Sequence, residues 1–536
     1  MSILLYLNGT IYTMDAAQPR AQAMAIDSTS GRIIAVGDND EVRRVGDRHA
    51  EIIDLRGKTV LPGFIDAHIH LIYAAYRSYY IDATGCKSED EVAELVRQRA
   101  EQTPAGQWIQ GGQWDKNLWP GQHFPTKASL DAAAPQHPVV LWSKDGHTVW
   151  VNSLALQRAG ISKETPDPAN GAILRDSDGE PTGMLEEQEA TELVFRVVDR
   201  HDPILTRHLV EEKIRELQRS GITTIHDIED DEAFSLFQQL RDEGTLGVRV
   251  QMILPRKMLP QLRAIGLRAG FGDDMLRLGG IKIFADGTLG SQTAAMLDGF
   301  EGNPENKGIL AIPEQEMNEA VRTATELGLS IAIHAIGDRA ARVALNSIEL
   351  AQRQRADSRQ KPGRLRYRLE HVQLIAPEDL ERMKRMGVIA SVQPFHAVAD
   401  RDIAERYWGK RHRRAYAYRT MQEMGIPLAL GSDAPVETFD PLRILYAATM
   451  RNDTETRQRP PWLPDQALPV AQALWDYTLG AAYAGAEEDQ KGSLIVGKLG
   501  DAVVLREDIL GVPQEKMAEN GVQATILGGK VVHGEV

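Results

Sequence analysis

Short apolar runs separated by turn residues occupy both ends of the chain. Residues 1–58 contain runs such as ILLYLNGTIYTM and AMAIDSTSGRIIAVG, with Asn-Gly and Ser-Gly pairs between strand-like stretches. This is the pattern of a small all-β unit. Residues 485–536 repeat it in GSLIVGKLGDAVVLRED and VQATILGGKVVHGEV. Because an isolated hairpin is only marginally stable in water, we predict that the two ends join in one small β-sandwich domain.

The middle of the chain, residues 59–484, alternates strand-like and helix-like runs. The helical patterns PILTRHLVEEKIRELQRSG and IPEQEMNEAVRTATELG each end at glycine, a common helix terminator. Repeated βα units predict an α/β fold with a parallel (β/α)₈ TIM-like barrel. The eight predicted strands are Val60–Asp66, Ile222–Asp227, Val248–Leu254, Gly280–Ala285, Leu329–His334, Arg366–His371, Val388–Val392 and Ile426–Gly431.

A long segment, approximately residues 72–205, separates the first two predicted strands. It is rich in Trp, Gly and Pro and contains its own strand-like run, Pro138–Ser143. A segment of this length is too long for a structureless loop in a compact domain. We therefore predict an inserted subdomain that lies over the first corner of the barrel.

Length and composition narrow the class of protein. A chain of 536 residues exceeds one ordinary hydrophobic core. Its formal net charge of −15 disfavours a nucleic-acid partner, since there is no basic surplus to neutralise phosphates. The single cysteine, Cys86, suits a reducing compartment. Without a basic, apolar leader or an apolar run of about 20 residues, the sequence predicts a cytoplasmic protein with no membrane partner.

The stretch LPGFIDAHIH places two histidines at the end of the first predicted barrel strand. Residues i and i+2 of a strand point to the same face, so His68 and His70 project together. The carboxyl ends of barrel strands form the active-site face. The pair is therefore either half of a metal site or two surface histidines.

Other strand ends carry matching chemistry. Lys282 lies within an apolar strand, where an ammonium group is rarely buried without a partner. His334, His371 and Asp433 end or follow the fifth, sixth and eighth predicted strands. Imidazoles together with a carboxylate suit zinc or a similar transition ion. Their coincidence at one end of the barrel favours a divalent metal site.

This arrangement resembles the amidohydrolase superfamily of metal-dependent hydrolases. The motifs KIFADGTLGSQTAAM, IHAIGDRA, LEHVQ and GSDAPV, with DGHTVWVNSLAL in the insert, are similar to the branch that includes N-substituted formamide deformylase. The resemblance covers nearly the whole chain. It implies one or two divalent metal ions per chain, zinc by the type of their ligands, and hydrolysis of the substrate by water.

The resemblance also implies a role for each ligand. His68, His70 and Asp433 would hold one ion, and His334 with His371 a second. Lys282, carboxylated on Nζ, would bridge the two ions; left unmodified, it would leave a single-metal site. Asp433 would also take a proton from the attacking water. The catalytic set is then Asp433, His371 and Lys282, and the metal set is His68, His70, Lys282, His334, His371 and Asp433.

Several further residues are candidates for contact with substrate. Each also has an ordinary structural interpretation, because loop histidines and insert aromatics more often serve packing. We interpret His226 as a hydrogen-bonded structural residue, and Glu186 with Glu187 as a solvated helix start. The substrate-binding candidates are His147, Trp114 with its neighbour Asp115, Asp286 and His396.

The function predicted from these observations is metal-dependent hydrolysis of a carbon–nitrogen bond other than a peptide bond. The substrate class is a small amide, N-substituted formamide or carbamate. A deaminase or ester-cleaving hydrolase on the same scaffold is the alternative, followed by a non-catalytic metal-bound binding protein. The sequence contains no dinucleotide-binding GxGxxG, no GxxxxGK[ST] and no GxSxG motif. A homodimer is the default expectation for assembly.

Overall fold

A parallel sheet of eight strands curls into a nearly closed barrel, as the sequence predicts. The computed structural model describes residues 3–77, 79–198, 203–356 and 364–536. The strands neighbour one another in chain order around the barrel, and their side chains are almost all buried because helices cover the outside. The barrel strands, first to eighth, are Phe64–Ile69, Ile222–Asp227, Arg249–Pro255, Leu276–Phe284, Ser330–Ala335, Tyr367–His371, Ile389–Val392 and Leu428–Leu430.

Backbone hydrogen bonds close the seam between the first and eighth strands. The amide of Asp433 donates to the carbonyl of His68 at 2.7 Å, and the amide of His70 donates to Ala434 at 2.9 Å. Gly431 permits this approach, since a Cβ atom there would lie 2.7 Å from the amide nitrogen of His68. The seam therefore brings Asp433 beside the two histidines of the first strand.

The predicted first strand, Val60–Asp66, is wrong in its boundaries. It is two strands, Thr59–Pro62 and Phe64–Ile69, separated at Gly63. Val60 and Leu61 pair with Val504 and Val503 of the C-terminal region, not with the barrel. Pairing partners far away in sequence decide where one apolar run is divided, and local pattern does not carry that information.

The chain ends form two further sheets that share a hydrophobic core. Strands from both termini make one six-stranded sheet, and a four-stranded sheet lies against it through side chains such as Tyr6, Ile26, Val504 and Ile526. In spatial order the first sheet contains Lys530–Gly534, Val522–Leu527, Ala502–Leu505, Thr59–Pro62, Thr10–Tyr12 and Arg20–Ala21, and the second Arg32–Gly37, Ala23–Asp27, Ile3–Leu7 and Glu51–Asp54.

The long segment after the first barrel strand contains a sheet of its own. Trp114, Trp119 and Trp150 pack together on one side of it, which explains the tryptophans of this region. The end of the predicted insert, near residue 205, adjoins residues 199–202, which lie outside the described ranges. In spatial order the strands are Ala172–Arg175, Pro181–Glu186, Thr148–Val151, Val139–Ser143, Ile109–Trp114 and Ile81–Asp82.

Helices connect and cover these sheets. Both helices predicted in the barrel are confirmed, as Pro203–Arg219 and Glu314–Leu327. Within the described ranges, no helix combines the length and apolar character that crossing a membrane requires. The remaining α-helices are Asn39–Arg43, Leu71–Arg77, Glu89–Ala100, Lys127–Ala133, Ser153–Ala159, Gln188–Phe195, Asp231–Asp242, Leu259–Ile265, Asp338–Ala356, Pro377–Met386, Pro394–Ala399, Arg401–Trp408, Tyr418–Met424, Pro441–Met450, Val470–Asp476 and Leu479–Ala484.

Candidate metal centre and its cavity

A cavity of about 350 Å³ opens at the carboxyl ends of the barrel strands. Its walls come from the barrel loops and from the insert, including the turn 143–148. A cavity of this size suits a small molecule. All six predicted metal ligands line it: His68, His70, Lys282, His334, His371 and Asp433.

His68, His70 and Asp433 form a compact ligand cluster. The Nε2 atoms of His68 and His70 each lie 3.3 Å from Oδ1 of Asp433. Two ligand atoms about 2.1 Å from one zinc ion, at a tetrahedral angle, are about 3.4 Å apart. The observed spacing is therefore that of a shared divalent ion, and the donor set fits one.

Hydrogen bonds at the other ring nitrogens fix the two imidazoles. Nδ1 of His68 donates to Oε2 of Glu370 at 2.6 Å, and Nδ1 of His70 donates to the carbonyl of Ile228 at 2.6 Å. Each bond leaves Nε2 as the lone-pair nitrogen that faces Asp433. Burial and the nearby Lys282 lower the pKa of His68 to about 4, so its imidazole is neutral and able to bind a metal ion.

Glu370 is itself held by a buried arginine. Nε of Arg368 donates to Oε1 of Glu370 at 2.5 Å, and the guanidinium also donates to Ala67 and Ser391. The guanidinium also donates to Oε2 of Glu370 and to Nδ1 of His226, both at 3.0 Å. The second contact agrees with a structural role for that histidine. Sequence analysis did not single out Glu370. The available signal was Arg368 and Glu370 two residues apart in an apolar strand, hence on one face.

The second oxygen of Asp433 faces two more histidines. Oδ2 lies 3.2 Å from Nε2 of His396, and His371, His396 and Asp433 place ligand atoms within 4.8 Å of one another. Nδ1 of His371 donates to Oε1 of Gln393 at 2.8 Å. Asp433 and His371 have φ of 59° and 75°, strained values for such residues that are typical of functional sites.

Lys282 and His334 complete the predicted ligand set. Nζ of Lys282 lies 3.3 Å from Nε2 of His68, and the residue is 2% exposed. Burial lowers the pKa of Lys282 to about 8. The rings of His334 and His371 are 4.5 Å apart, while Nε2 of His334 donates to the carbonyl of Gly287 at 3.2 Å. These contacts place Lys282 beside His68 of the first cluster and His334 beside His371, whereas His334 belongs to neither group of histidine and carboxylate ligand atoms that lie within 4.8 Å of one another in the described chain.

The predicted substrate contacts fall into two groups. His147, Trp114, Asp115 and His396 line the cavity. Asp286 is fully buried and is not among the lining residues; its carboxylate accepts the amides of Ala295, Ile336 and Gly337 instead. Its position is that of a residue that shapes the loop after the fifth strand. Trp114 combines both roles, since its indole also donates to Leu141 within the insert core.

Glu187 differs from the sequence interpretation of a solvated helix start. The residue is 3% exposed, and Oε2 accepts a hydrogen bond from Nδ1 of His147 at 3.0 Å. Burial opposes protonation of His147, but Glu187 and then Asp145 outweigh it and raise the pKa of His147 to about 9. The run LEEQEA resembles a charged helix surface, so only the tertiary contact reveals this carboxylate.

Known proteins identify the class to which this fold and site belong. Residues 51–533 match the amidohydrolase family. The chain belongs to that family and is a metal-dependent hydrolase that acts on carbon–nitrogen bonds. The sequence-based assignment to this superfamily is confirmed.

Three proteins illustrate the similarity. Protein LONG AFTER FAR-RED 3 of Arabidopsis thaliana is 32% identical, and the similarity covers 99% of this chain and 91% of that protein. The N-substituted formamide deformylase of Arthrobacter pascens is 29% identical, and the similarity covers 99% of this chain and 98% of that protein. An uncharacterized metal-dependent hydrolase of Pyrococcus horikoshii has a similar structure, with a TM-score of 0.77, 28% identity and coverage of 96% and 99%.

Proposed function

We propose that the protein hydrolyses a small amide, carbamate or N-substituted formamide, with the formamide as the leading candidate. Water adds to the carbonyl carbon and the carbon–nitrogen bond breaks, so that a formamide gives formate and an amine. The observation that carries this proposal is the 3.3 Å spacing of His68 and His70 about one oxygen of Asp433, in a cavity at the carboxyl ends of the barrel strands. The activity for which the 29% identical relative is named, deformylation of N-substituted formamides, supports the choice of substrate class.

The metal is zinc in this proposal, since imidazole nitrogens and carboxylate oxygen are ligands that zinc accepts. His68, His70 and Asp433 would hold one ion. When bound, such an ion polarises a carbonyl group and lowers the pKa of water toward neutrality. His334 and His371 would hold a second ion together with Lys282 carboxylated on Nζ. Carboxylation would turn a buried cation without an ion-pair partner in the described chain into an anionic ligand.

The side chains of the protein supply orientation and proton transfer. Oδ2 of Asp433, the oxygen that does not face His68 and His70, takes the proton from the attacking water. Nε2 of His396 lies 3.2 Å from the same oxygen. Glu370 keeps His68 in one tautomer throughout. The insert forms part of the cavity wall, and a cavity of about 350 Å³ suits a small molecule.

The test is turnover of a substrate panel by the zinc-loaded enzyme. N-substituted formamides, N-acyl amines, carbamates, esters and amino-heterocycles are assayed with the parent protein and with Asp433→Asn. We expect formamide or amide turnover, reduced at least about 100-fold by the substitution, which removes the proton acceptor. Asp242→Asn is the matched control, because its exposed carboxylate pairs with Arg241 and is not among the residues that line the cavity.

Two results would overturn the proposal. If the amino-heterocycles were the only compounds turned over, with release of ammonia, the protein would be a deaminase. If Asp433→Asn hydrolysed an amide at the parent rate, Asp433 would not be the proton acceptor.

A further inference from the structure

Glu187 is a buried carboxylate whose side chain accepts a hydrogen bond from His147 and does not cap its own helix. It occupies the position before the helix Gln188–Phe195, where a side chain ordinarily accepts a hydrogen bond from the first-turn amides. Glu187 makes no such bond. Its Oε2 accepts from Nδ1 of His147 at 3.0 Å, and its amide donates to the carbonyl of His147 at 2.8 Å.

The position of Glu187 is unfavourable on three counts. Its φ of 65° is uncommon for a residue other than glycine. The residue is 3% exposed, and Oε1 has no hydrogen-bond partner within the described part of the chain. Third, Oε1 is crowded by the loop that contains Gly287, where a Cβ atom would lie only 2.3 Å away. Costs of this kind persist where surrounding structure enforces them, typically at functional sites.

His147 is held at the cavity wall by its other neighbours. Its amide donates to Oδ1 of Asp145 at 3.2 Å, and Oδ2 of Asp145 accepts from Thr288 in the loop after the fourth strand. Its ring lies 5.4 Å from that of His334. Nε2 makes no hydrogen bond to any residue that the structure describes. Nε2 is therefore the ring nitrogen that remains available to a bound molecule, and the imidazole of His147 lines the cavity.

We propose that Glu187 is a positioning residue: by fixing Nδ1 of His147, it directs Nε2 toward the polar group of the substrate. This inference rests on the proposed hydrolytic function. A carboxylate that orients an imidazole from behind is a recurrent arrangement in enzymes and metal sites. Here the carboxylate comes from the insert, and the ring that it orients stands beside a ligand of the candidate metal centre.

A double-mutant cycle tests whether Glu187 acts through His147. Glu187→Gln should lower kcat/KM about 10- to 100-fold, the usual effect of losing an orienting partner. If Glu187 acts only through the imidazole, adding Glu187→Gln to His147→Asn should slow the enzyme by less than about twofold more. Losses that multiply in the double variant would overturn the inference. Glu186→Gln is the matched control and should retain the parent rate.

A second readout does not depend on any substrate. The proton in the hydrogen bond from Nδ1 of His147 to Glu187 should give a downfield imidazole resonance in proton NMR of protein isotopically labelled at histidine. It should be lost in Glu187→Gln and in His147→Asn but kept in Glu186→Gln. Its loss without any change in turnover of a known substrate would refute the positioning role. Its presence with no substrate turned over would refute the proposed function and leave the contact intact.

Discussion

Replacing Glu370 by glutamine should weaken metal binding with only a moderate loss of stability. The carboxylate accepts from His68 at 2.6 Å, and this bond selects the tautomer whose Nε2 faces Asp433. A glutamine retains the shape but loses the negative charge, and its amide can present N–H to the imidazole. Outer partners of metal-bound histidines typically contribute 10- to 100-fold in affinity. At about 1.4 kcal/mol per factor of ten, we expect a loss of about 1.4–2.8 kcal/mol in metal binding.

The effect on folding follows from the contacts that Arg368 keeps. Breaking a buried ion pair ordinarily costs about 3–5 kcal/mol because a bare charge remains. Here the guanidinium would retain Ala67 at 2.5 Å, Ser391 at 2.9 Å and His226 at 3.0 Å as partners. Arg368 also donates two bonds to Glu370, and a glutamine can still accept one of them through its amide oxygen. The loss should therefore be nearer that of a single charged hydrogen bond, about 1.5–3 kcal/mol.

The assay is competition with a chromogenic zinc chelator, followed by thermal unfolding of the metal-free protein. Glu378→Gln is the control, since it removes a carboxylate from an exposed pair with Arg342. It should change neither quantity measurably. An affinity of Glu370→Gln within threefold of the parent value would refute the reasoning that this carboxylate orients His68.

Three further predictions concern the frame around the site. Asp501→Ala should lower the free energy of unfolding by about 3–5 kcal/mol in urea titration, because Asp501 and Arg249 form a buried pair, at 2.6 and 2.8 Å, between the terminal sheets and the barrel; an unchanged midpoint would contradict this. Gly431→Ala should weaken zinc binding in the chelator assay, because a Cβ atom would lie 2.7 Å from the His68 amide and overpacking costs about 1–3 kcal/mol; parent-like affinity would contradict it. Burial raises the pKa of Asp476 well above its usual range. The native state therefore keeps a proton that the unfolded chain loses near pH 4. Stability falls as the pH rises from the unfolded-state pKa to the native-state pKa of this carboxyl group. Asp476→Asn should therefore raise the unfolding temperature more at pH 8 than at pH 5, and an equal gain at both would refute the assignment.

The barrel, and the position of the candidate ligands at one end of it, could be predicted because both rest on local patterns. Apolar runs separated by helical repeats predict the strands, and the ends of parallel strands meet on one face of the barrel. His68 and His70 are two residues apart in such a run, so their common direction follows from strand geometry alone. The division of the first run at Gly63 could not be predicted, because it depends on pairing with residues more than 400 positions away in sequence.

The residues behind the ligands were harder to predict. Glu187 lies in a charged run with the pattern of a helix surface, and only folding of the insert against the barrel buries it. Asp286 was predicted to contact substrate because its loop follows the fourth strand. Its carboxylate instead accepts three backbone amides, and such amide positions leave no pattern in the sequence. Candidate ligands could be proposed from residue type and spacing, whereas the residues that contact them from behind are defined by contacts that cross the fold.

The most direct test of the account is the metal content of the purified protein, measured as ions per chain by elemental mass spectrometry. After expression with added zinc and bicarbonate, the parent protein should hold at least one divalent ion, and His68→Asn combined with His70→Asn should hold less than half of that amount. Two ions in the parent protein would also support a carboxylated Lys282. A parent protein without metal, or a double variant with the full complement, would contradict the claim that these histidines and Asp433 form the metal centre.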